Sequence, residues 1–295
     1  MRLASQAAES AYRVLDKCTR ELEPDGPWRW RCVVQNGTRL PMTASLDEGF
    51  LQLTCRPDGI RKGALALERA LLGNGALAGG VKLALNAASR DLTLCSDIVL
   101  LDEIQLLERV RWALQGFHEG DRLLKSPGAS SVRAAKQRVD AGGANLGDLL
   151  RESSWAFTER GPNDFSADLD AVSAPPARIA AIDGQLMFGV ELARCTAAAE
   201  ATRQALAIFL LTASGALRLA RAHAVEADGE WSFGFQVCLP GAAVTEEIDH
   251  ALAALSIAHR MCARESSVLL DEAAARCYMA ARDLPPTHDQ EEMEN

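Results

Sequence analysis

The chain has 295 residues, enough for two domains of ordinary size. Its composition, with 48% apolar and 24% charged residues, is typical of a globular protein. A net charge of −9 disfavours nucleic acid or anionic membrane as the main partner, because neutralising phosphates requires a basic face. The sequence has no signal-peptide pattern and no run of about 18 apolar residues. It therefore predicts a cytoplasmic protein, and its eight scattered cysteines suit buried thiols in a reducing compartment.

The first part of the chain predicts a helix, a three-stranded meander, a short helix, a hairpin and a long helix. Apolar periodicity and turn residues give the spans 4–22, 28–35, 40–46, 50–56, 62–72, 81–87 and 91–99, followed by the long helix. Asn36-Gly37 supplies the first hairpin turn. Asp102 is expected to cap the long helix, because its carboxylate can accept from N–H groups of the first turn.

A linker rich in small residues, 126–143, separates this part from a second series of elements in the same order. The predicted spans are a helix over 145–159, strands over 165–172, 178–182 and 186–192, a helix over 197–213, strands over 217–226 and 231–239, and a last helical region. Thr245 is expected to cap that region, which runs to about Arg282 with a break near Glu265. Residues 285–295 predict a disordered tail.

The repeated order indicates an internal duplication. A shift of 136 residues places Leu46-Asp47 on Ile182-Asp183, and a later shift of 143 places Cys95 on Cys238. Each copy predicts α-β-β-β-α-β-β-α, an α+β module with a five-stranded antiparallel sheet and helices on one face. The modules span 1–125 and 144–284. We expect a pseudo-twofold relation between them and a monomer, because the second copy covers the surface that a dimer partner would use.

This element order, in acidic units with a long last helix, resembles the fold of class I type III secretion chaperones and of the related YbjN-like group. The resemblance covers nearly all of both copies and rests on element order. It implies small acidic homodimers that hold an extended segment of a partner protein. The tandem arrangement departs from the usual single-domain subunit, and it could supply the dimer within one chain.

The sequence assigns no catalytic, cofactor-binding or metal-binding residue. Residues 73–78 fit G-x-G-x-x-A, but a helix precedes them and a strand follows, which reverses the order that dinucleotide binding needs. The five histidines form no H-E-x-x-H motif. Paired carboxylates fall at turns and helix starts, where capping accounts for them. We therefore expect no cofactor and no enzyme activity.

Two tryptophans are the candidate peptide contacts. Trp28 and Trp30 alternate along the first predicted strand and project to the same side. They either pack beneath a helix or line a peptide groove of the aromatic kind that marks interface hot spots. The matching stretch of the second copy, 164–167, has no tryptophan, so a groove there would differ.

The interface between the copies is expected where the short helix of the first copy meets the helix over 197–213. That second helix is rich in alanine and apolar almost all round, which is typical of a buried helix, and small residues let helices approach closely. The candidate interface residues are Leu65, Leu71, Ala205, Ile208 and Phe209.

Three functions are compatible with these patterns. The first is a non-enzymatic, chaperone-like protein that binds a polypeptide through strand edges or apolar patches. The alternative is a small-ligand-binding protein or enzyme with a pocket between the modules. A third is a structural subunit of a larger assembly. A deep pocket that gathers Arg13, Glu108 and His118 would favour the enzyme, and a shallow apolar groove with unpaired strand edges would favour the peptide binder.

Overall fold

The computed structural model describes residues 2–36, 38–57, 64–86, 89–125, 146–169, 174–182 and 184–282. Within these residues the protein is α+β, with two antiparallel six-stranded sheets and seven helices. The predicted linker 126–143 and tail 285–295 lie outside the described residues, as do Gly37 of the first hairpin turn and residues 58–59 after the meander.

The first module contains three helices and six strands. They are α1 (Arg2–Cys18), β1 (Arg20–Pro24), β2 (Arg29–Asn36), β3 (Thr38–Asp47), β4 (Phe50–Cys55), α2 (Ala64–Asn74), β5 (Lys82–Leu85), β6 (Leu92–Val99) and α3 (Glu103–Lys125). The strand order in the sheet is β1-β2-β3-β4-β6-β5. Helix α3 packs on β6 and α1 packs on α3, so the two long helices cover the sheet together.

The second module contains four helices and six strands. They are α4 (Leu146–Glu152), β7 (Phe157–Gly161), β8 (Asp164–Ala167), β9 (Ala177–Ile182), β10 (Gln185–Thr196), α5 (Glu200–Ala216), β11 (Arg221–Ala227), β12 (Glu230–Pro240), α6 (Thr245–Val268) and α7 (Glu272–Ala280). The strand order is β7-β8-β9-β10-β12-β11, which is the order of the first sheet in equivalent strands. Helix α6 packs on β10 and β12.

The strand registers show which residues of the two modules are equivalent. After the equivalent hairpins, Leu100 N–H donates to the Gly49 carbonyl and Gly241 N–H donates to the Gly184 carbonyl. This register places Cys238 at the position of Asp97, two residues from the predicted equivalence with Cys95, which is therefore wrong. The registers also place Asp47 at the position of Ile182, so the shift of 136, which put Asp47 on Asp183, is wrong by one residue.

The prediction of five strands per sheet is wrong by one strand in each module. Strand β1 begins two residues after α1 ends, within the span predicted as helix, and β7 lies at the end of the helix predicted over 145–159. Both are outer strands with mostly exposed side chains. Neither strand therefore shows the alternation of apolar and polar residues by which a half-buried strand is recognised.

Helix ends follow the capping chemistry in part. The Asp102 carboxylate accepts from Ile104 and Gln105 N–H at 2.9 Å, which confirms the cap of α3. Helix α6 differs from the prediction, because Thr245 is its first residue and Val244 precedes it. Glu247 caps the helix from inside by accepting from Val244 N–H at 3.0 Å. The break after α6 falls at 269–271, where Asp271 caps α7 by accepting from Ala274 N–H.

The modules meet along α2, α5 and the inner edge strands of both sheets. Helix α2 packs on α5 and on β11, while α5 packs on β5. Strands β5 and β11 approach each other, and β5 is buried along its whole length. Strand β5 is thus covered along its length, whereas β11 is covered in its first part and exposed over residues 225–227.

Candidate functional site

An open groove lies between α1 and the start of β2 in the first module. Its volume is about 340 Å³. Its lining residues are Ala8, Glu9, Tyr12, Arg13, Trp28 and Trp30. The groove is shallow and mostly open to solvent, unlike the enclosed pockets that bury most of a small ligand. Both candidate peptide contacts therefore lie in one concave surface, together with a third aromatic residue that the sequence patterns did not single out.

The two tryptophans have different roles in this surface. The structure places Trp30 in β2 with 7% of its surface exposed, whereas Trp28 lies in the turn before the strand and is 43% exposed. The prediction that both alternate along one strand is therefore wrong for Trp28. Trp30 packs in the core of the module, and Trp28 and Tyr12 (41% exposed) offer aromatic surface to solvent.

Trp28 adopts a backbone conformation that suits other residues better. Its φ is 61°, in the left-handed region, and its carbonyl accepts from Leu46 N–H at 2.8 Å. The equivalent residue of the second module is Asn163, with φ 56° and the equivalent bond from Ala181 N–H. Asparagine tolerates this region, while for most residues it costs about 1–2 kcal/mol. Seven described non-glycine residues have a positive φ of this kind, and Trp28 is the one aromatic residue among them.

The charged residues around the groove differ in whether they form ion pairs. Arg13 donates to Glu103 of α3 at 3.0 Å, and Lys17 donates to the same carboxylate at 2.9 Å. Hydrogen bonds from Lys17 and Arg13 hold the pKa of Glu103 below its ordinary value. Within the described residues Glu9 is exposed and makes no ion pair or side-chain hydrogen bond. The groove thus contains one carboxylate whose acceptor capacity is unused.

The outer sheet edges are poorly suited to pairing with another strand. Strand β1 has a register irregularity between Arg20 and Glu23, and Glu21 has a φ of 53°. Strand β7 has an irregularity between Glu159 and Gly161. Bulges and charged side chains on edge strands are the usual protection against strand addition. The irregular registers of β1 and β7 therefore disfavour the addition of a further strand at either edge.

A buried ion pair lies where the first sheet meets the second module. Lys82 on β5 donates to Asp97 on β6 at 2.7 Å, and both side chains are almost fully buried. Lys82 also donates to the carbonyl of Leu217, while Asp97 accepts from Leu219 N–H at 3.0 Å and from Arg218 at 3.2 Å. Burial alone would raise the pKa of Asp97, but these donors outweigh it and lower that pKa.

Arg221 on β11 makes the reciprocal contact. The strand registers place it at the position equivalent to Lys82, and its guanidinium donates to the carbonyls of Gly75, Leu77 and Val81 in the first module. Since Cys238 stands where the first module has Asp97, carbonyl oxygens replace the carboxylate as partners. Each module therefore inserts one buried cation into the backbone of the other.

A small cavity of about 30 Å³ lies at this junction, lined by residues of both modules. That volume holds about one or two water molecules. On its wall Arg109 of α3 donates to Glu247 of α6 at 2.7 and 2.9 Å and to the Ala242 carbonyl at 2.8 Å. The polar groups are satisfied by one another, and the space is far smaller than a substrate site needs.

The residues that would have indicated an enzyme pocket do not come together. Arg13 lines the open groove, whereas neither the groove nor the junction cavity is lined by Glu108 or His118. The Glu108 side chain is 62% exposed. Burial lowers the pKa of His118, and the nearby Asp121 opposes that shift. Among the described residues no three His, Cys, Asp or Glu side chains are grouped so as to hold a metal ion.

The candidate interface residues lie on α2 and α5. Leu71, Ala205 and Ile208 are buried, and Phe209 makes an edge-to-face contact with Tyr278 of α7. Leu65 is part of α2, but its side chain lies outside the described atoms. The helices are also joined by Arg203, which donates to Glu68 at 3.1 Å. Burial raises the pKa of Glu68, and Arg203 opposes that shift.

Comparison of the chain with protein-family models finds no matching family, and comparison with curated proteins finds no match. In the part of the chain that the structure describes, no helix is both long enough and apolar enough to cross a membrane.

Proposed function

We propose that the protein is a non-enzymatic, chaperone-like binder that holds a segment of a partner polypeptide in the groove of its first module. The observation that carries the proposal is Trp28. Its indole is half-exposed beside Tyr12, and its backbone is in a conformation that the second module gives to asparagine. Partly exposed aromatic side chains over a concave surface are typical anchors for a protein partner.

The tandem modules, in this proposal, form a pseudo-dimer related by a pseudo-twofold axis and built on the chaperone-like fold. Reciprocal contacts support the relation, because α2 packs on β11 as α5 packs on β5. Contacts of this reciprocal kind are the signature of a twofold interface. The exchange of buried cations, Lys82 in one direction and Arg221 in the other, follows the same symmetry.

We propose a monomer in the cytoplasm. Strand β5, the first part of β11 and α2 pack against the other module, so much of the surface that would join two single modules is already in contact within the chain. The eight cysteines lie in the described part of the chain and form no disulfide there, which suits a reducing compartment. Light scattering is expected to give the mass of one chain, and an obligate dimer would contradict this part of the proposal.

The test of binding uses Trp28→Asn, which installs the residue that the second module has at this position. Relief of backbone strain offsets part of the lost packing, so we expect the same circular dichroism spectrum and an unfolding free energy within about 2 kcal/mol of the parent chain. Displayed random peptides are selected on the parent chain, and each enriched peptide is then measured on both proteins.

We expect enriched peptides whose affinity falls at least tenfold on Trp28→Asn. Asn163→Gln is the matched control, since it changes the equivalent turn in the second module and should leave binding unchanged. Peptides that bind both Trp28→Asn and the parent chain equally would remove the groove from the proposal. Failure to enrich any peptide in repeated selections would count against the binding function itself.

A further inference from the structure

Three aromatic residues and one unpaired carboxylate line the same groove. Tyr12 and Trp28 supply exposed aromatic surface, the mostly buried Trp30 lies behind them, and Glu9 supplies the carboxylate. The face of an aromatic ring attracts a cation, with a contribution of about 0.5–2 kcal/mol that grows as the cation is desolvated. A carboxylate beside such rings adds charge-assisted hydrogen bonding to an ammonium or guanidinium group.

The cation already at the groove does not fill this role. Arg13 is held by Glu103, at 2.8 Å between its nearest nitrogen and the carboxylate, and Lys17 holds the other oxygen of that carboxylate. No cation–π contact joins a described Arg or Lys to Tyr12, Trp28 or Trp30, whereas Arg203 and Arg282 make such contacts elsewhere. Among the described residues, the aromatic surface and Glu9 are therefore without a cationic partner.

We infer that the groove takes a lysine or arginine side chain of the partner, so that the bound segment is a basic polypeptide with apolar neighbours beside the cation. This inference rests on the proposed function and names the chemistry of its partner. The net charge of −9 attracts a basic segment over longer distances and raises the rate of encounter. Apolar residues on either side of the cation suit the apolar parts of the groove, Ala8 and the indole of Trp30.

The test uses matched synthetic peptides, acetyl-Gly-Ser-Leu-X-Leu-Ser-Gly-amide, in which X is arginine, lysine, norleucine or glutamate. Binding is measured by calorimetry and by the change in tryptophan fluorescence. We expect the arginine and lysine peptides to bind about tenfold more tightly than the norleucine peptide, and the glutamate peptide to bind most weakly. The preference for the cation should decrease as salt is raised.

Two variants locate the effect. Glu9→Gln is expected to reduce the preference for lysine over norleucine to less than about threefold while leaving the norleucine peptide unchanged. Glu230→Gln removes the same charge from an exposed position in the second module and should leave the preference intact. An effect of equal size in both variants would attribute the preference to net charge and overturn a cation site in the groove.

The outcomes separate the inference from the proposal on which it rests. Norleucine and lysine peptides that bind equally, with both lost in Trp28→Asn, would overturn the cation site and keep the peptide groove. If none of the four peptides binds, and peptides selected on the parent chain also ignore Trp28, both the groove and its cation site are rejected. Tight binding of the glutamate peptide would show that the groove prefers an anionic side chain, and it would overturn the inference.

Discussion

Replacing Asp97 by asparagine is expected to weaken the junction between the modules more than any exposed charge does. The Asp97 side chain has no exposed surface and accepts from Lys82, Arg218, Leu219 N–H and Gln52. The amide of asparagine would leave the Lys82 ammonium buried without a countercharge. Removing one partner of a buried ion pair costs about 3–5 kcal/mol, and we expect Asp97→Asn to lower the unfolding free energy by that amount.

The protein supplies a matched control in Asp47, which accepts from the same Arg218 but has a side chain that is 53% exposed. An exposed ion pair contributes less than about 1 kcal/mol, so Asp47→Asn should have little effect. Urea unfolding, followed by circular dichroism and by tryptophan fluorescence, measures both variants. If Asp97→Asn is no more destabilising than Asp47→Asn, the assignment of Asp97 as the main countercharge of the junction is refuted.

The same variant changes how stability depends on pH. The pKa of Asp97 is lower in the folded protein than its ordinary value, which is about 3.9 in an unfolded chain. Its stabilisation is therefore complete above about pH 3.9 and is lost as the pH falls through the lower folded value, since the unfolded state then binds the proton more tightly. Asp97→Asn should flatten this acid limb of the stability profile, and an unchanged slope would contradict the sign of the shift.

Three further outcomes are expected. Arg109→Met alone leaves Glu247 buried without its cation and should cost about 3–5 kcal/mol, whereas the double variant with Glu247→Leu should recover most of the loss in urea unfolding. Burial, with help from the nearby Arg221, lowers the pKa of His223 from 6.5 to about 4. The unfolded chain therefore binds the proton more tightly, and stability should decline as the pH falls from about 6.5 to about 4. His223→Gln should remove that decline in thermal unfolding. Gly234→Ala would bring a Cβ into a backbone carbonyl of the facing strand and should lower the unfolding free energy by at least about 1–3 kcal/mol. At Gly189 a Cβ would have no atom closer than 3.9 Å, so Gly189→Ala should be close to neutral in the same measurement.

The element order of the fold could be predicted because most strands and helices bury one face. The six inner strands of the meanders and both late hairpins follow alternation and turn residues, and the Asp102 cap follows from local chemistry. Strands β1 and β7 were missed because an exposed edge strand needs no apolar alternation. Such a segment becomes a strand because it pairs with a neighbouring strand, and that pairing is not visible in its own residues.

The site was predicted only in part, for a similar reason. Trp28 and Trp30 could be chosen for their residue type, but Tyr12 and Glu9 join them through packing of α1, which local patterns do not encode. One residue of the junction between the modules can be recognised in the sequence. Lys82 interrupts an otherwise apolar run, Val81 to Leu85, and a cation inside a buried strand indicates a partner beyond the sheet.

Under the proposed function, the difference between Trp28 and Asn163 leaves one aromatic groove in each chain. Two identical subunits would display the aromatic groove twice and could bridge two segments of a client or two clients. Two copies in one chain can differ at equivalent positions, and here an indole is present in the first copy alone. A chain of this kind would engage its client one to one, and titration calorimetry would show that as a stoichiometry of a single site.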